Sequence, residues 1–315
     1  VEKAGERMDY TQNVFLVERI CGICSFIHAL CYCQGIERLM GVEVPPRARY
    51  LRVIWSELHR MQSHHLWLGL LADALGFESL FMQFWRNRER LMDIFEKTAG
   101  SRVIISTCTI GGVRRDIGPE DQQMIMQELE VLERALDEAL EAILSDRTVK
   151  RRTVGKGVLS AEQALHLGAV GPVLRGSGVA VDARTEGFAA YADLGIEPVV
   201  ETAGDAYART RVRARECYQS LGLVRKAIEM LPDGEIAVRP RGRPDGRTIS
   251  RVEQPRGELF YFVGADGSSR LDRLRIRTPT FANVPALVAM LPGCDMADVP
   301  VITLSIDPCI SCTER

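Results

Sequence analysis

The 315-residue sequence predicts a mainly α protein with a small β component, organised as a helical bundle core. Two observations carry that expectation. Apolar residues recur at steps of three and four over several long stretches, as helix faces require. Alternating, strand-like patterning is confined to one region around residue 260. Loops join the long helices, and bundles of that kind build cofactor sites from facing side chains.

The elements follow in chain order. A polar entry leads into the cysteine-rich stretch ERICGICSFIHALCYCQGIERLMG, and Pro45 and Pro46 are expected to break the helix preceding them. Leu51, Ile54, Trp55, Leu58, Met61, His65 and Leu68 fall on helical spacing, so a helix is expected over about 47–75. A second is expected over 78–98. A third, over 119–145, begins with acidic residues, which the helix dipole favours. Residues 153–187 are glycine-rich and read as loop with at most a short helix from Ser160. A further helix is expected over 203–231, ended by Pro232 and Gly234. Residues 236–255, rich in Arg, Pro and Gly, read as an extended loop. ELFYFVGADGSSRLDRLRIRT reads as a β-hairpin turning at 265–268, and a short helix over 281–291 precedes the tail.

Composition excludes several classes. With 46% hydrophobic and 26% charged residues, the chain is neither disordered, collagenous nor a polytopic membrane protein. A net charge of −2 offers no basic field, so no nucleic-acid partner is expected. The longest apolar run, 66–77, is interrupted by Asp73 and falls short of the roughly 20 residues a membrane span needs. No signal peptide is visible. Nine cysteines, an odd count with two C-x-x-C pairs, suggest metal or redox chemistry in a reducing compartment.

The chemistry concentrates at the two pairs, Cys21-Gly-Ile-Cys24 and Cys309-Ile-Ser-Cys312. Four thiolates make a soft, all-sulfur site that suits zinc, nickel or an iron–sulfur cluster. Structural zinc is the commonest use of such pairs. Against it, nearly the whole chain separates the pairs, and the first opens a hydrophobic helix. On that helix His28 would lie one turn beyond Cys24 and donate an N–H to its sulfur. Cys31, Cys33, Cys108, Cys217 and Cys294 read as small buried hydrophobes. His64, His65 and His166 read as structural, with a proton-path role the alternative for His64, and Arg239, Arg241, Arg243 and Arg247 as a solvated loop or a partner contact. The glycine-rich runs lack the Gly-Lys-Ser/Thr ending of a P-loop.

RICGICSFIH and DPCISCTER resemble the two signature motifs of the large subunit of nickel–iron hydrogenases. The resemblance extends through RVIWSELHRMQSHHLWLG, GPVLRGSGVAVDAR and VEQPRGELFYFV, and covers essentially the whole chain. It points to the energy-converting and CO-induced membrane-bound group related to respiratory complex I. It implies one large-subunit domain over 1–315 and reversible formation of hydrogen from protons and electrons. Cys21 and Cys309 would be terminal nickel thiolates. Cys24 and Cys312 would bridge nickel to an iron carrying two cyanides and one carbon monoxide. Pro255, Arg256 and Asp307 would lie over the centre, with Arg256 paired to Asp307. Thr280 would serve a cyanide, and Ile23 and Leu259 would wall the carbon monoxide. Cyanide needs buried donors, carbon monoxide an apolar wall, and the metal centre does the redox chemistry. The implied partners are a small subunit with an iron–sulfur cluster, integral membrane subunits and a ferredoxin-like donor. The implied place is cytoplasmic, peripheral to the membrane. The competing readings are a metal-free, complex-I-like quinone-site subunit and a structural all-cysteine zinc site.

Two departures from the family pattern stand out. The family's proton-relaying glutamate lies further upstream of the first motif than this sequence extends, so the N-terminal β segment reads as truncated and no proton gate is named. Many members also end the second motif in a histidine that binds a structural metal with an early glutamate. Here Arg315, a poor ligand because it stays protonated, stands there. Glu2 and Arg315 are expected to form a buried salt bridge in place of that metal.

Overall fold

The computed structural model describes residues 1–315. It is 57% helical and 11% strand, so the chain is mainly α with a small β component. The helices are α1 (Glu2–Gly5), α2 (Asn13–Glu18), α3 (Ser25–Met40), α4 (Pro46–Ala74), α5 (Glu78–Ala99), α6 (Pro119–Ser145) and α7 (Arg147–Thr153). They continue with α8 (Ala161–His166), α9 (Pro172–Arg175), α10 (Tyr191–Leu194), α11 (Ala206–Glu229), α12 (Pro279–Met290), α13 (Val299–Ser305) and α14 (Ile310–Glu314). β1 (Cys108–Thr109) and β2 (Gly112–Val113) form a minimal hairpin. β3 (Asp245–Gln254), β4 (Gly257–Asp266) and β5 (Leu271–Arg277) form an antiparallel sheet in that order.

α4 is the central element, packed between α5 and α11. It is buried on every face, including Arg52, Glu57, His59, Arg60, His64 and His65. Buried polar groups must be paired. Arg52 bonds Glu37 at 2.5 and 3.0 Å. His59 and His65 contact the carbonyls of Trp55 and Met61, one turn back, at 2.9 and 2.8 Å. α3 lies between this bundle and the β3–β4 face of the sheet. A smaller core of Leu159, Ala164, Val173, Leu174, Ala286, Met290, Ile302 and Ile306 joins α8, α9, α12 and α13.

Three sequence expectations need correction. The Pro45–Pro46 pair does not end α3. That helix stops at Met40, capped by Gly41 at φ 62°, and Pro46 instead begins α4. Proline suits the first turn because the amide it lacks has no intrahelical partner there. Residues 245–254, expected in loop, form β3. Its buried Glu253 and Gln254 hid the strand, because their polar side chains face tertiary partners rather than solvent. The glycine-rich 153–187 region holds α9 and a 3₁₀ turn, Ala183–Glu186, beyond the helix at Ser160. Ser160 does cap α8, in a reciprocal capping box with Gln163.

Two glycines explain how the Gly-Pro-Val-Leu-Arg and Pro-Arg-Gly segments meet. A Cβ on Gly171 (φ 64°) would lie 2.3 Å from Gly257 Cα, and one on Gly257 (φ 133°) 2.7 Å from Gly171 N. The two backbones touch because neither carries a side chain. Gly171→Ala is expected to cost about 2–4 kcal/mol from overlap and left-handed backbone together. Gly168→Ala, with similar φ but nothing within 4 Å, should cost only about 1–2 kcal/mol. Chemical denaturation of both variants checks the difference.

Candidate metal centre

The two C-x-x-C pairs converge from opposite ends of the chain. The sulfurs of Cys21, Cys24 and Cys312 all lie within 4.8 Å of one another, and Cys309 Sγ is 3.6 Å from Cys21 Sγ. Local structure aims them. Cys24 is the N-cap residue of α3 and Cys309 that of α14. Cys312 donates its backbone N–H to Cys309 Sγ at 3.4 Å. Thr278 Oγ1 donates to Cys312 O at 2.6 Å, and Cys309 N donates to Thr280 Oγ1 at 3.2 Å. The start of α12 thus clamps the second pair. Cys21, Cys24 and Cys312 are buried, whereas Cys309 is half-buried.

The sulfurs share their protons unequally. S–H groups of Cys24, Cys309 and Cys312 hold the Cys21 thiol well below its usual range, helped by Arg256. Burial and the Cys21 charge push Cys24 up, and Cys21 and Cys24 push Cys312 up. Four sulfurs this close together are a soft donor set that can exchange protons for a metal.

Above the sulfurs, Arg256 Nη2 lies 3.1 Å from Asp307 Oδ1, and Arg256 Nε donates to Asp307 O at 3.0 Å. Asp307 holds φ at 55°, uncommon for a residue with a side chain. Arg256 Nη1 and Asp307 Oδ2 are buried without partners. A buried donor and acceptor left open beside four sulfurs fit a metal centre with hydrogen-bonding ligands. Pro255 is buried in the same β3–β4 turn. Leu259 is buried on β4, where its carbonyl accepts the Cys31 thiol at 3.8 Å. Ile23 is half-buried between Cys21 and Cys24, its carbonyl bonded by Gln62 at 2.6 Å.

A buried ionic lattice supports this canopy. Arg60 donates to the carbonyls of Glu253 and Gln254 at 2.9 and 3.1 Å, just before the Pro255–Arg256 turn. Arg175 pairs with Glu216 at 2.7 Å and Glu253 at 2.8 Å. His64 Nε2 lies 2.8 Å from Glu216, and Arg184 reaches Asp182 at 2.7 Å and Glu57 at 3.3 Å. Burial works against the Glu216 charge, but Arg175, His64 and Arg60 hold its carboxyl well below the usual range. Burial wins at Glu253, whose carboxyl is pushed up to about 7. Between lattice and canopy, Arg213 stacks 4.2 Å over Trp67, with Nε and Nη2 unpartnered.

Two expected contacts are different in the fold. His28 does not face Cys24. Its Nε2 lies 3.7 Å from Cys312 Sγ and 3.1 Å from Gln254 Nε2, and its Nδ1 2.7 Å from Tyr261 Oη. Cys24 caps α3, and the helix turns the ring toward the other pair. Glu2 and Arg315 form no salt bridge. Glu2 takes the Ile276 N–H at 2.8 Å and Arg275 at 2.7 Å. Arg315 donates to Ile276 O at 2.7 Å and stacks 4.1 Å over Phe281. Glu2 and Arg315 thus take the N–H and the C=O of one β5 residue, and a guanidinium there does not fit a bound metal. Gln254, Tyr261, Thr278 and the ionic lattice were not singled out in the sequence. Tyr261 was accessible, since it lies two residues beyond Leu259 and so on the same strand face.

A profile of the nickel-dependent hydrogenase family matches residues 2–77. One of the respiratory-chain NADH dehydrogenase 49-kDa subunit matches residues 74–243 and 236–315. The chain belongs to this combined family of hydrogenase large subunits and 49-kDa subunits. It is 40% identical to the membrane-bound hydrogenase subunit alpha of Pyrococcus furiosus, over 100% of this chain and 78% of that protein. It is also 40% identical to the carbon monoxide-induced hydrogenase of Rhodospirillum rubrum, over 100% and 88%. An NADH-quinone oxidoreductase subunit of Thermodesulfovibrio yellowstonii is 34% identical over 98% and 85%. The family thus joins hydrogenases to complex-I-type subunits. No helix of this member is long and apolar enough to cross a membrane.

Glu253 predicts a pH signature. Its folded carboxyl titrates near 7 and the unfolded one near 4.5, so its favourable contribution is complete below 4.5 and lost as pH rises through 7. Glu253→Gln removes that loss. The stability difference, wild type minus variant, should fall between pH 4.5 and 7 by at most about 1.4 kcal/mol per pH unit. Denaturation midpoints across that window check the sign.

Proposed function

We propose that this chain is the catalytic subunit of an energy-converting nickel–iron hydrogenase, one large-subunit domain over 1–315. The carrying observation is the convergence of four cysteine sulfurs beneath a buried arginine–aspartate pair with an open donor and an open acceptor. Cys21 and Cys309 would hold nickel terminally. Cys24 and Cys312 would complete the set that holds nickel and an iron with two cyanides and one carbon monoxide. When bound, that centre supplies the reversible splitting of hydrogen into protons and electrons.

The chain's own residues do the rest. Cys309 is half-buried and has Ser311 Oγ at 3.5 Å, so a proton held on its sulfur has a neighbour toward solvent. Arg256 keeps Nη1 free to donate to a cyanide, and Asp307 keeps Oδ2 free to hold a proton while orienting the guanidinium. Pro255 and Thr280 flank the centre. Leu259 and Ile23 offer apolar surface to carbon monoxide. Electrons would pass to a small subunit with an iron–sulfur cluster, fed by a ferredoxin-like donor. Integral membrane subunits would hold the assembly at the cytoplasmic face, in keeping with relatives described as membrane-bound.

A second reading, a metal-free quinone-site subunit, has support from the 49-kDa profile and the NADH-quinone oxidoreductase relatives. The four-sulfur donor set favours the first, since quinone chemistry has no use for it. Elemental analysis of this chain, isolated anaerobically from its iron–sulfur partner, separates them. Nickel and iron in equal amounts, both lost in Cys309→Ser, are expected. Zinc alone would indicate a structural all-cysteine site, and no metal the quinone-site reading. Arg256→Lys should keep both metals but lower hydrogen oxidation by about 100-fold or more, because a lysine cannot hold Asp307 and keep a second aimed donor.

A further inference from the structure

Beside the sulfurs, three buried side chains meet at His28: Cys312, Gln254 and Tyr261. All are buried, and no carboxylate is among the ring's partners, so the imidazole is held neutral in the interior. A neutral imidazole has one N–H and one bare nitrogen. Which nitrogen carries the proton is set by the partner of the other.

Two arrangements meet the geometry. If Nδ1 carries the proton it donates to Tyr261 Oη, and bare Nε2 takes an amide N–H from Gln254. The Tyr261 hydroxyl proton then has no acceptor, because His28 is its sole hydrogen-bond partner. Gln254 Oε1 is also left without a partner in the interior. A bare Nε2 would further turn a lone pair toward the sulfur 3.7 Å away. In the other arrangement the Tyr261 O–H donates to Nδ1, and Nε2–H is free to donate. A half-turn of the Gln254 amide brings the orphaned Oε1 to that N–H, which it shares with Cys312 Sγ. Both the hydroxyl proton and the amide oxygen are then used, and only the amide NH2, now in the former place of Oε1, is without a partner.

We propose that Tyr261 and Gln254 are positioning residues that fix the His28 tautomer, Tyr261 by donating to Nδ1 and Gln254 by accepting at Nε2. Through them a sheet strand and the turn before Arg256 control whether the Cys312 sulfur receives a hydrogen bond. This rests on the proposed function only in that Cys312 is then a metal thiolate. A hydrogen bond to that sulfur withdraws electron density, and losing it makes the sulfur a stronger donor.

The first test needs no metal. In the full protein labelled with ¹⁵N-histidine, the His28 nitrogens are identified by their loss in His28→Gln. Wild type is expected to show a bare Nδ1 and a protonated Nε2. Tyr261→Phe keeps the ring but removes the donor, and should move the proton to Nδ1 or mix the two forms. Tyr32→Phe is the packing control. That ring packs edge-on against Tyr261, but its hydroxyl bonds Tyr10 O at 2.8 Å, so the tautomer should not change. A wild-type proton on Nδ1, or a tautomer indifferent to Tyr261→Phe, overturns the proposal. The second test is the infrared spectrum of the assembled complex. Tyr261→Phe should move the carbon monoxide band to lower wavenumber and Tyr32→Phe should not. Bands present but unmoved by Tyr261→Phe refute control of the sulfur. Absence of diatomic bands in wild type refutes the proposed function, while the nitrogen spectra still decide the tautomer.

Discussion

The structure depends on a set of charges kept out of water. Arg60, Arg175 and Arg184 face Glu57, Asp182, Glu216 and Glu253 with almost no solvent access. Removing one partner of such a lattice leaves a buried charge uncompensated, typically at a cost of about 3–5 kcal/mol. The lattice is therefore all-or-none. It joins α4, α11, the α9 turn and the end of β3, elements far apart in sequence. What it holds is the backbone of Glu253 and Gln254, and so the turn that places Arg256.

The four-cysteine site is built in the same manner, from pieces with no local reason to meet. One cysteine pair caps α3, the other caps the short α14, and the residues that orient them come from α12 and the β3–β4 turn. Order is bought with strain at Asp307 and with the contact of two side-chain-free backbones at Gly171 and Gly257. The open atoms of Arg256 and Asp307 are the counterpart of that order. Paired to each other, these two groups still keep one polar atom each without a partner, close to the sulfurs.

Burial also explains how the same fold serves polar and apolar roles at once. On β4, Leu259 and Tyr261 share one buried face, two residues apart. One offers hydrocarbon and the other a hydroxyl. The Arg315 and Glu2 contacts at Ile276 do comparable work at the chain ends, using peptide groups of β5 as the common partner.

Helices over 46–74, 78–99, 119–145 and 206–229 were legible in the sequence within a few residues, because apolar periodicity and breaker residues are local signals. The two cysteine pairs were equally legible as a soft metal site, because spacing and residue type are written along the chain. Strand β3 was not legible, since its buried glutamate and glutamine read as solvent-facing until their partners are known. Nor was the direction of His28, which helical spacing placed beside Cys24 but the fold turns to Cys312. The Glu2 and Arg315 pairing failed for a related reason, since each charge found a nearer partner on β5. By itself the sequence determined the helical class and the ligand chemistry, both properties of short windows. Only the tertiary structure decided which buried charges, amides, hydroxyls and sulfurs face one another, because those pairings join residues as many as 288 positions apart and are set by packing alone.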